Sequence, residues 1–339
     1  MPNTPQHPRL EQHFVLDLVR VTEAAALAAG RCMGMGDKNL VDQAAVDAMR
    51  AMLSTMEMDG TVVIGEGEKD EAPMLYIGER IGAAKSPQVD IAVDPIDGTT
   101  LCSKGLPGAI AAIALSPRGT MRVPRELVYM DKIAVGREAK DAIDINAPVK
   151  ENLKNVAKAK GRKLEELTVI LLDRPRNESI LAQVRAAGAR VRLISDGDIA
   201  AAIHAAMPGS NIDVLMGIGG TPEGVLAAAA IRCAGGSIQA KLWPRNDDDR
   251  KLATQASLSL EKVYQTEDLC GGDDVFFAAT GVTGGDLLKG VRYFGGGAQS
   301  QSLVMRSRSG TIRWIETLHD FTRLDRLNGP AGGRRKARR

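Results

Sequence analysis

Apolar residues recur at helical spacing in two stretches near the start of the chain. Phe14, Leu18, Val21 and Ala25 form one stripe of a segment that closes at Gly30, and Val46, Met49, Leu53 and Met56 form another between positions 40 and 58. This spacing predicts two amphipathic helices, the first ended by its glycine, with the methionines as core filler. Beyond Met58 the period changes. Short β-type runs at 61–64, 89–93, 109–115 and 132–135 alternate with turn residues, predicting an α+β first half. From about residue 168 the pattern alternates again. Strands at 168–172, 190–194 and 213–216 are interleaved with helices ending near 187, over 198–207 and over 222–234. That order predicts crossover units around a largely parallel sheet, with ligands at the carboxyl ends of its strands.

The predicted class is therefore α/β, built as layers of helices and sheets. A charged helix over 149–160 precedes a boundary near Gly161, which gives an expected division into a lead (1–13), an α+β half (14–161), an α/β half (162–320) and a basic, disordered tail (321–339). The polar stretch 243–267 reads as a surface excursion. A strand at 275–280 precedes the glycine-rich 281–285, and no internal repeat is visible.

Composition narrows the function classes. The 339 residues carry 44 Lys+Arg against 42 Asp+Glu, but five of the last six residues are cations, so the remainder holds 39 cations against 42 acids. A faintly acidic body with 3% aromatic residues argues against a nucleic-acid partner. The longest apolar runs fall far short of the roughly 20 residues that span a bilayer, and the start shows no export signal, so a cytoplasmic protein with no membrane partner is expected. Cys32, Cys102, Cys233 and Cys270 form no C-x-x-C pair and are expected to be reduced, mostly buried thiols. The four histidines do not cluster, so any metal must be held by oxygen.

The chemistry concentrates at strand ends. An apolar strand runs into Asp94-Pro95-Ile96-Asp97-Gly98-Thr99-Thr100, two carboxylates three residues apart with a proline fixing the bend and a glycine allowing close backbone approach. Hard cations such as Mg²⁺ and Mn²⁺ select such oxygen donors. Glu66 follows another strand between Gly65 and Gly67, whereas Glu68, Asp70 and Glu71 read as a solvated charge run. Asp42 shares the stripe of Val46 and Met49. It is either a coordinated core-facing acid or a dipole-favoured acid of the first turn. Gly217 to Gly220 lead into Thr221-Pro222-Glu223, with Thr221 suited to the N-cap; Glu223 is either a helix-start acid or a metal donor beside phosphate-binding glycines. Asp196-Gly197-Asp198 ends a further strand and suits both helix capping and polyol recognition. Arg174-Pro175-Arg176 ends another and suits bidentate recognition of a phosphate.

Together these residues, with Gly36-Asp37-Lys38-Asn39, the 63–76 segment and Tyr129-Met130-Asp131-Lys132, resemble the class II fructose-1,6-bisphosphatases of bacteria, within the lithium-sensitive, metal-dependent sugar and inositol phosphatases. The likeness runs in order from about residue 14 to 320. It implies the sugar-phosphatase fold of alternating helix and mixed-sheet layers, a homo-oligomer (dimer or tetramer), and Mg²⁺ or Mn²⁺ held by Asp42, Glu66, Asp94, Asp97 and Glu223. It also implies substrate contacts at Asp97, Gly98, Thr99, Tyr129, Arg174, Pro175, Arg176, Asp196, Gly197, Asp198 and Gly220, with Thr99, Asp94 and Glu66 serving the chemistry. Position 97 is glutamate in some members, and the segment 246–257 and the tail fall outside the pattern. The implied reaction is hydrolysis of fructose 1,6-bisphosphate to fructose 6-phosphate, with sedoheptulose 1,7-bisphosphate as a further candidate. The alternatives are an inositol-monophosphate or nucleotide-bisphosphate phosphatase and, in another class, a non-catalytic sugar-phosphate or metal sensor.

Overall fold

The computed structural model describes residues 14–66, 75–122 and 124–323. The lead 1–13, the acids Glu68, Asp70 and Glu71, and nearly all of the basic tail lie outside the described residues. In chain order the elements are α1 (Phe14–Gly30), α2 (Lys38–Leu53), β1 (Asp59–Ile64), β2 (Arg80–Ile81), β3 (Gln88–Asp97), α3 (Thr99–Ser103), β4 (Ile110–Pro117) and β5 (Tyr129–Val135). There follow α4 (Val149–Ala159), β6 (Thr168–Leu172), α5 (Glu178–Ala187), β7 (Arg190–Ile194), α6 (Asp198–Ala206), β8 (Val214–Gly220) and α7 (Thr221–Ala234). The last are β9 (Ser237–Trp243), α8 (Asp247–Gln255), β10 (Tyr264–Gln265), α9 (Thr266–Leu269), β11 (Phe276–Gly281), β12 (Arg292–Phe294), β13 (Gly297–Arg306) and β14 (Thr311–Asp320).

Two sheets organise these elements. One follows the order β12-β13-β11-β4-β3-β1-β2 with β14 paired to β13, and the other follows β10-β9-β5-β8-β6-β7. Strand alternation sorts their side chains into separate cores, because successive residues of a strand face opposite ways. On β4, Ala111, Ile113 and Leu115 pack beneath α1 and α2, while Ile110, Ala112 and Ala114 face α6 and α7. On β5, Met130 and Ala134 face α6 and α7 from the other side, and Ile133 and Val135 meet α4 and α5. The result is five layers: helices, sheet, helices, sheet, helices. Pure apolar alternation explains why the middle helix α7, rich in alanine, is almost wholly buried between two sheets.

Three details differ from the sequence pattern. The second sheet is mixed rather than largely parallel, because only β7, β6 and β8 run parallel while β5, β9 and β10 are antiparallel. The long hairpin of β13 and β14, paired from Gly297↔Asp320 to Arg306↔Thr311, gives a weak signal because much of β14 is exposed. Helix α2 stops at Leu53, where Ser54 bonds back to the Arg50 carbonyl, although Met56 and Met58 remain buried. The chain also crosses between sheets: β5, from before Gly161, completes the second, and β11 to β14 complete the first. Both sheets therefore present strand ends to one region.

Candidate active site

Of the fifteen site residues singled out in the sequence, all except Asp42 and Pro175 line a single cavity of about 540 Å³. Asp42 stands behind it, joined through Thr99, whose hydroxyl donates to Asp42 Oδ1 at 2.8 Å. Helix α2 starts at Lys38 with Asp37 capping Leu40, so Asp42 lies beyond the first turn and its carboxylate points to the site. A smaller cavity of about 320 Å³ shares Asp196 and Gly197 as a wall but is lined mainly by apolar side chains such as Leu101, Ile110 and Leu288. The convergent carboxylates and arginines belong to the larger cavity.

The first sheet supplies the acidic wall. Glu66 follows β1, and Asp94 and Asp97 flank an irregularity in the pairing of β3 with β4 that turns both carboxylates toward the cavity. Gly98 adopts φ +89 at this bend, a conformation that other residues rarely tolerate. Glu223 enters from the first turn of α7 in the middle layer. Crowding and like charge work against ionisation here. Burial, then Asp42 and Glu223, push Glu66 up to about 7, even though its outer side is open to solvent. Burial, then the Asp97 charge, hold Asp94 well above the ordinary carboxylate range; burial, then Asp198, do the same for Asp97. Asp42 is also raised, chiefly by burial.

The hydrogen bonds of this wall are sparse. Asp94 accepts from the Ile96 N–H at 3.1 Å, and Asp97 Oδ2 accepts from the Ala200 N–H at 3.0 Å near the start of α6. Glu223 Oε2 is buried with no hydrogen-bond partner. Among the described residues no group of three or more acids, histidines or cysteines is already arranged to hold a metal ion. The donor set nonetheless fits a hard cation: it is all carboxylate, mutually repelling, and contains an orphaned buried oxygen.

The second sheet supplies the opposite wall, where most polar groups are paired. Arg174 and Arg176 follow β6; Arg174 is exposed, while Arg176 donates to the Ile218 carbonyl at 3.0 Å and stacks over Tyr129 at 4.4 Å. Asn177 is buried. It accepts from the Ile218 N–H at 2.7 Å and donates to the Leu172 and Ile218 carbonyls, fixing the arginine turn to β8. Asp198 is the first residue of α6 after Gly197, not its cap, and its Oδ2 accepts from Lys132 Nζ at 2.5 Å. Thr221 likewise begins α7 rather than capping it, and its hydroxyl donates to the Leu127 carbonyl.

The glycines of β8 have steric causes. A Cβ at Gly220 would lie 1.7 Å from Glu223 Oε2, one at Gly219 would lie 2.0 Å from Asp198 Oδ2, and Gly217 has φ +128 beneath Asn177. Sequence reasoning assigned no role to Lys132 or Asn177. The signal for Lys132 was present, since its two-residue spacing from the buried Met130 and Ala134 puts a cation on the core-facing side of β5. Asn177 carries no comparable signal.

The sequence profile of the family described as "Bacterial fructose-1,6-bisphosphatase, glpX-encoded" matches residues 12–319. The chain belongs to this family. Every candidate site residue lies within the matched span. Two relatives have the printed name D-fructose 1,6-bisphosphatase class 2/sedoheptulose 1,7-bisphosphatase. The one from Synechococcus elongatus is 44% identical over 337 residues, covering 92% of this chain and 97% of the relative. The one from Trichodesmium erythraeum is 44% identical over 331 residues, covering 90% and 96%. This family member is an α/β protein of alternating layers, and no helix among its described residues is long and apolar enough to cross a membrane.

Proposed function

We propose that the chain hydrolyses the 1-phosphate ester of fructose 1,6-bisphosphate, releasing phosphate and fructose 6-phosphate. One observation carries the reading: an acidic wall and a two-arginine wall face each other across one cavity, as a substrate with a reacting phosphate at one end and an anchoring phosphate at the other requires. The printed names of the relatives add sedoheptulose 1,7-bisphosphate as a second substrate. The reading extends to a cytoplasmic homo-oligomer.

Phosphate-monoester hydrolysis needs roughly 20 kcal/mol or more of barrier lowering, so positioning and electrostatics must dominate. Asp42, Glu66, Asp94, Asp97 and Glu223 would hold Mg²⁺ or Mn²⁺, which when bound neutralises phosphate charge and lowers the pKa of water. With its proton directed to Asp42 at 2.8 Å, the Thr99 hydroxyl keeps lone pairs free to accept from the attacking water and orient it. Gly98 lets the backbone approach the phosphate without a side chain between. Arg174 and Arg176 would grip the 6-phosphate, the latter held in place by Tyr129 and the Ile218 carbonyl. Asp198 would accept from sugar hydroxyls.

The decisive measurement is phosphate release from fructose 1,6-bisphosphate, sedoheptulose 1,7-bisphosphate and inositol monophosphate by one preparation. The bisphosphates should be consumed, EDTA should stop turnover, and Mn²⁺ or Mg²⁺ should restore it. Binding without consumption would favour a sensor, and preference for the inositol ester would favour the other branch of the superfamily. Full activity after metal removal would reject the ligand set.

A further inference from the structure

Lys132 is the cation at the centre of the second wall. Its side chain is 2% exposed, and it projects from β5 toward α6 and α7, between two apolar residues of the same core. Burying an ammonium is costly unless it is paired. The pairing here is specific: Nζ donates to Asp198 Oδ2 at 2.5 Å and to the Gly220 carbonyl at 3.1 Å. One side chain thus ties three elements, β5, the first turn of α6, and the junction of β8 with α7 that carries Glu223.

The surroundings are shaped for this contact. A Cβ on Gly219 would fall 2.0 Å from Asp198 Oδ2 and 2.8 Å from Lys132 Nζ, so any side chain at 219 would collide with the pair. The aliphatic stem packs against the first turns of α7, where a Cβ at Gly224 would meet Lys132 Cδ at 3.5 Å, an ordinary van der Waals contact. The ammonium itself does not line the cavity, whereas Asp198 does. Asp198 Oδ1 takes no hydrogen bond from the described residues, which leaves that oxygen for a ligand.

We infer that Lys132 is a positioning residue for sugar recognition: it holds the Asp198 carboxylate with one oxygen turned to the cavity and fixes the Gly220 turn. The inference deepens the proposed function and rests on it. Without Lys132 nothing among the described residues holds the Asp198 carboxylate in this orientation, so substrate binding weakens, while Glu66, Asp94 and Asp97, carried by the first sheet, keep their positions.

The test is a double-mutant cycle on the purified full chain, assayed at saturating Mn²⁺. Lys132→Met and Asp198→Asn should each raise KM for fructose 1,6-bisphosphate by about tenfold or more with kcat within about threefold, and the double variant should be no worse than either single variant. Gly219→Ala, which keeps both charges but displaces the carboxylate, should reproduce the KM effect and carries the test should Lys132→Met fail to melt cooperatively. A KM within about twofold of the wild type in a folded Lys132→Met or Gly219→Ala protein would overturn the inference, as would additive effects in the cycle. A wild-type protein that leaves the bisphosphate intact would instead bring down the functional reading itself, so the two failures are separable.

Discussion

The two walls of the cavity are built on opposite principles. On the first, carboxylates from β1, β3 and α7 crowd together with few hydrogen bonds, one buried oxygen has none, and burial with like charge raises their pKa values. On the second, Lys132 joins Asp198, Asn177 joins Ile218 and Arg176 stacks on Tyr129, so most polar groups are paired within the protein, with exposed Arg174 and one Asp198 oxygen left open. A wall that repels itself is completed by something brought from outside, whereas a paired wall is finished by folding. The proposed function gives cation binding to the first wall and substrate recognition to the second.

Removing a donor from the first wall should have the largest effect. Glu223→Gln is expected to lower kcat by about a thousandfold or more, because electrostatic stabilisation is the main source of rate in such chemistry. The metal-free variant should melt no lower than the metal-free wild type, since the substitution removes a buried charge whose burial and repulsion by Asp198 outweigh its attraction to Lys132. Turnover within tenfold of the wild type, measured by phosphate release, would break the division between the walls. On the second wall, Arg176→Ala should raise KM for the bisphosphate by about tenfold to a hundredfold with a much smaller change in kcat, the loss expected for a charge-assisted anchor. An unchanged KM would remove the anchoring role.

The walls were also unequally legible in the sequence. The acids of the first wall stand out because Asp94 to Thr100 places two carboxylates and a glycine directly after an apolar strand, a local string with a local reason. The alternation of β4 and β5 likewise foretells the layered cores. What the sequence could not show is pairing across long separations. Lys132 meets Asp198 across 66 residues, and Asn177 meets Ile218 across 41. The β8 glycines illustrate the limit well. A run of glycines before a helix suggests phosphate binding; the folded chain adds that a Cβ at Gly219 or Gly220 would meet the Asp198 or Glu223 carboxylate where it now stands, which no local string reveals. The hairpin of β13 and β14 escaped for a different reason, since an exposed edge strand does not need an apolar period.

Asn177 gives a test of the second wall's frame that is independent of charge. The residue is 2% exposed, and its side chain makes three hydrogen bonds, one to the end of β6 and two that tie the arginine turn to β8. Asn177→Ala leaves those backbone groups without partners and should cost about 1–3 kcal/mol of stability, read as a lower midpoint in urea with an unchanged slope. If the walls are separate units, metal affinity measured by calorimetry should change less than substrate KM. An equal loss in both would show that the frame serves the whole cavity.

The smallest effect concerns protons on the first wall of the metal-free chain. Glu66 is raised from 4.5 to about 7, and Asp94 and Asp97 shift in the same direction. A carboxyl whose folded pKa lies above its unfolded value contributes stability that is fully present below the unfolded pKa and lost as pH rises through the folded one. The metal-free protein should therefore melt lower at pH 8 than at pH 5.5. Because Glu66 is partly open to water, its share is discounted to about 1 kcal/mol, or about 2 °C in a chain of this size. The loss should vanish when Mn²⁺ is present at pH 8 and shrink in Glu66→Gln, whose side chain no longer ionises. A metal-free melting point that is flat or rising between those pH values, with the same profile in Glu66→Gln, would mean that the first wall is not self-repelling and that its contrast with the second does not hold.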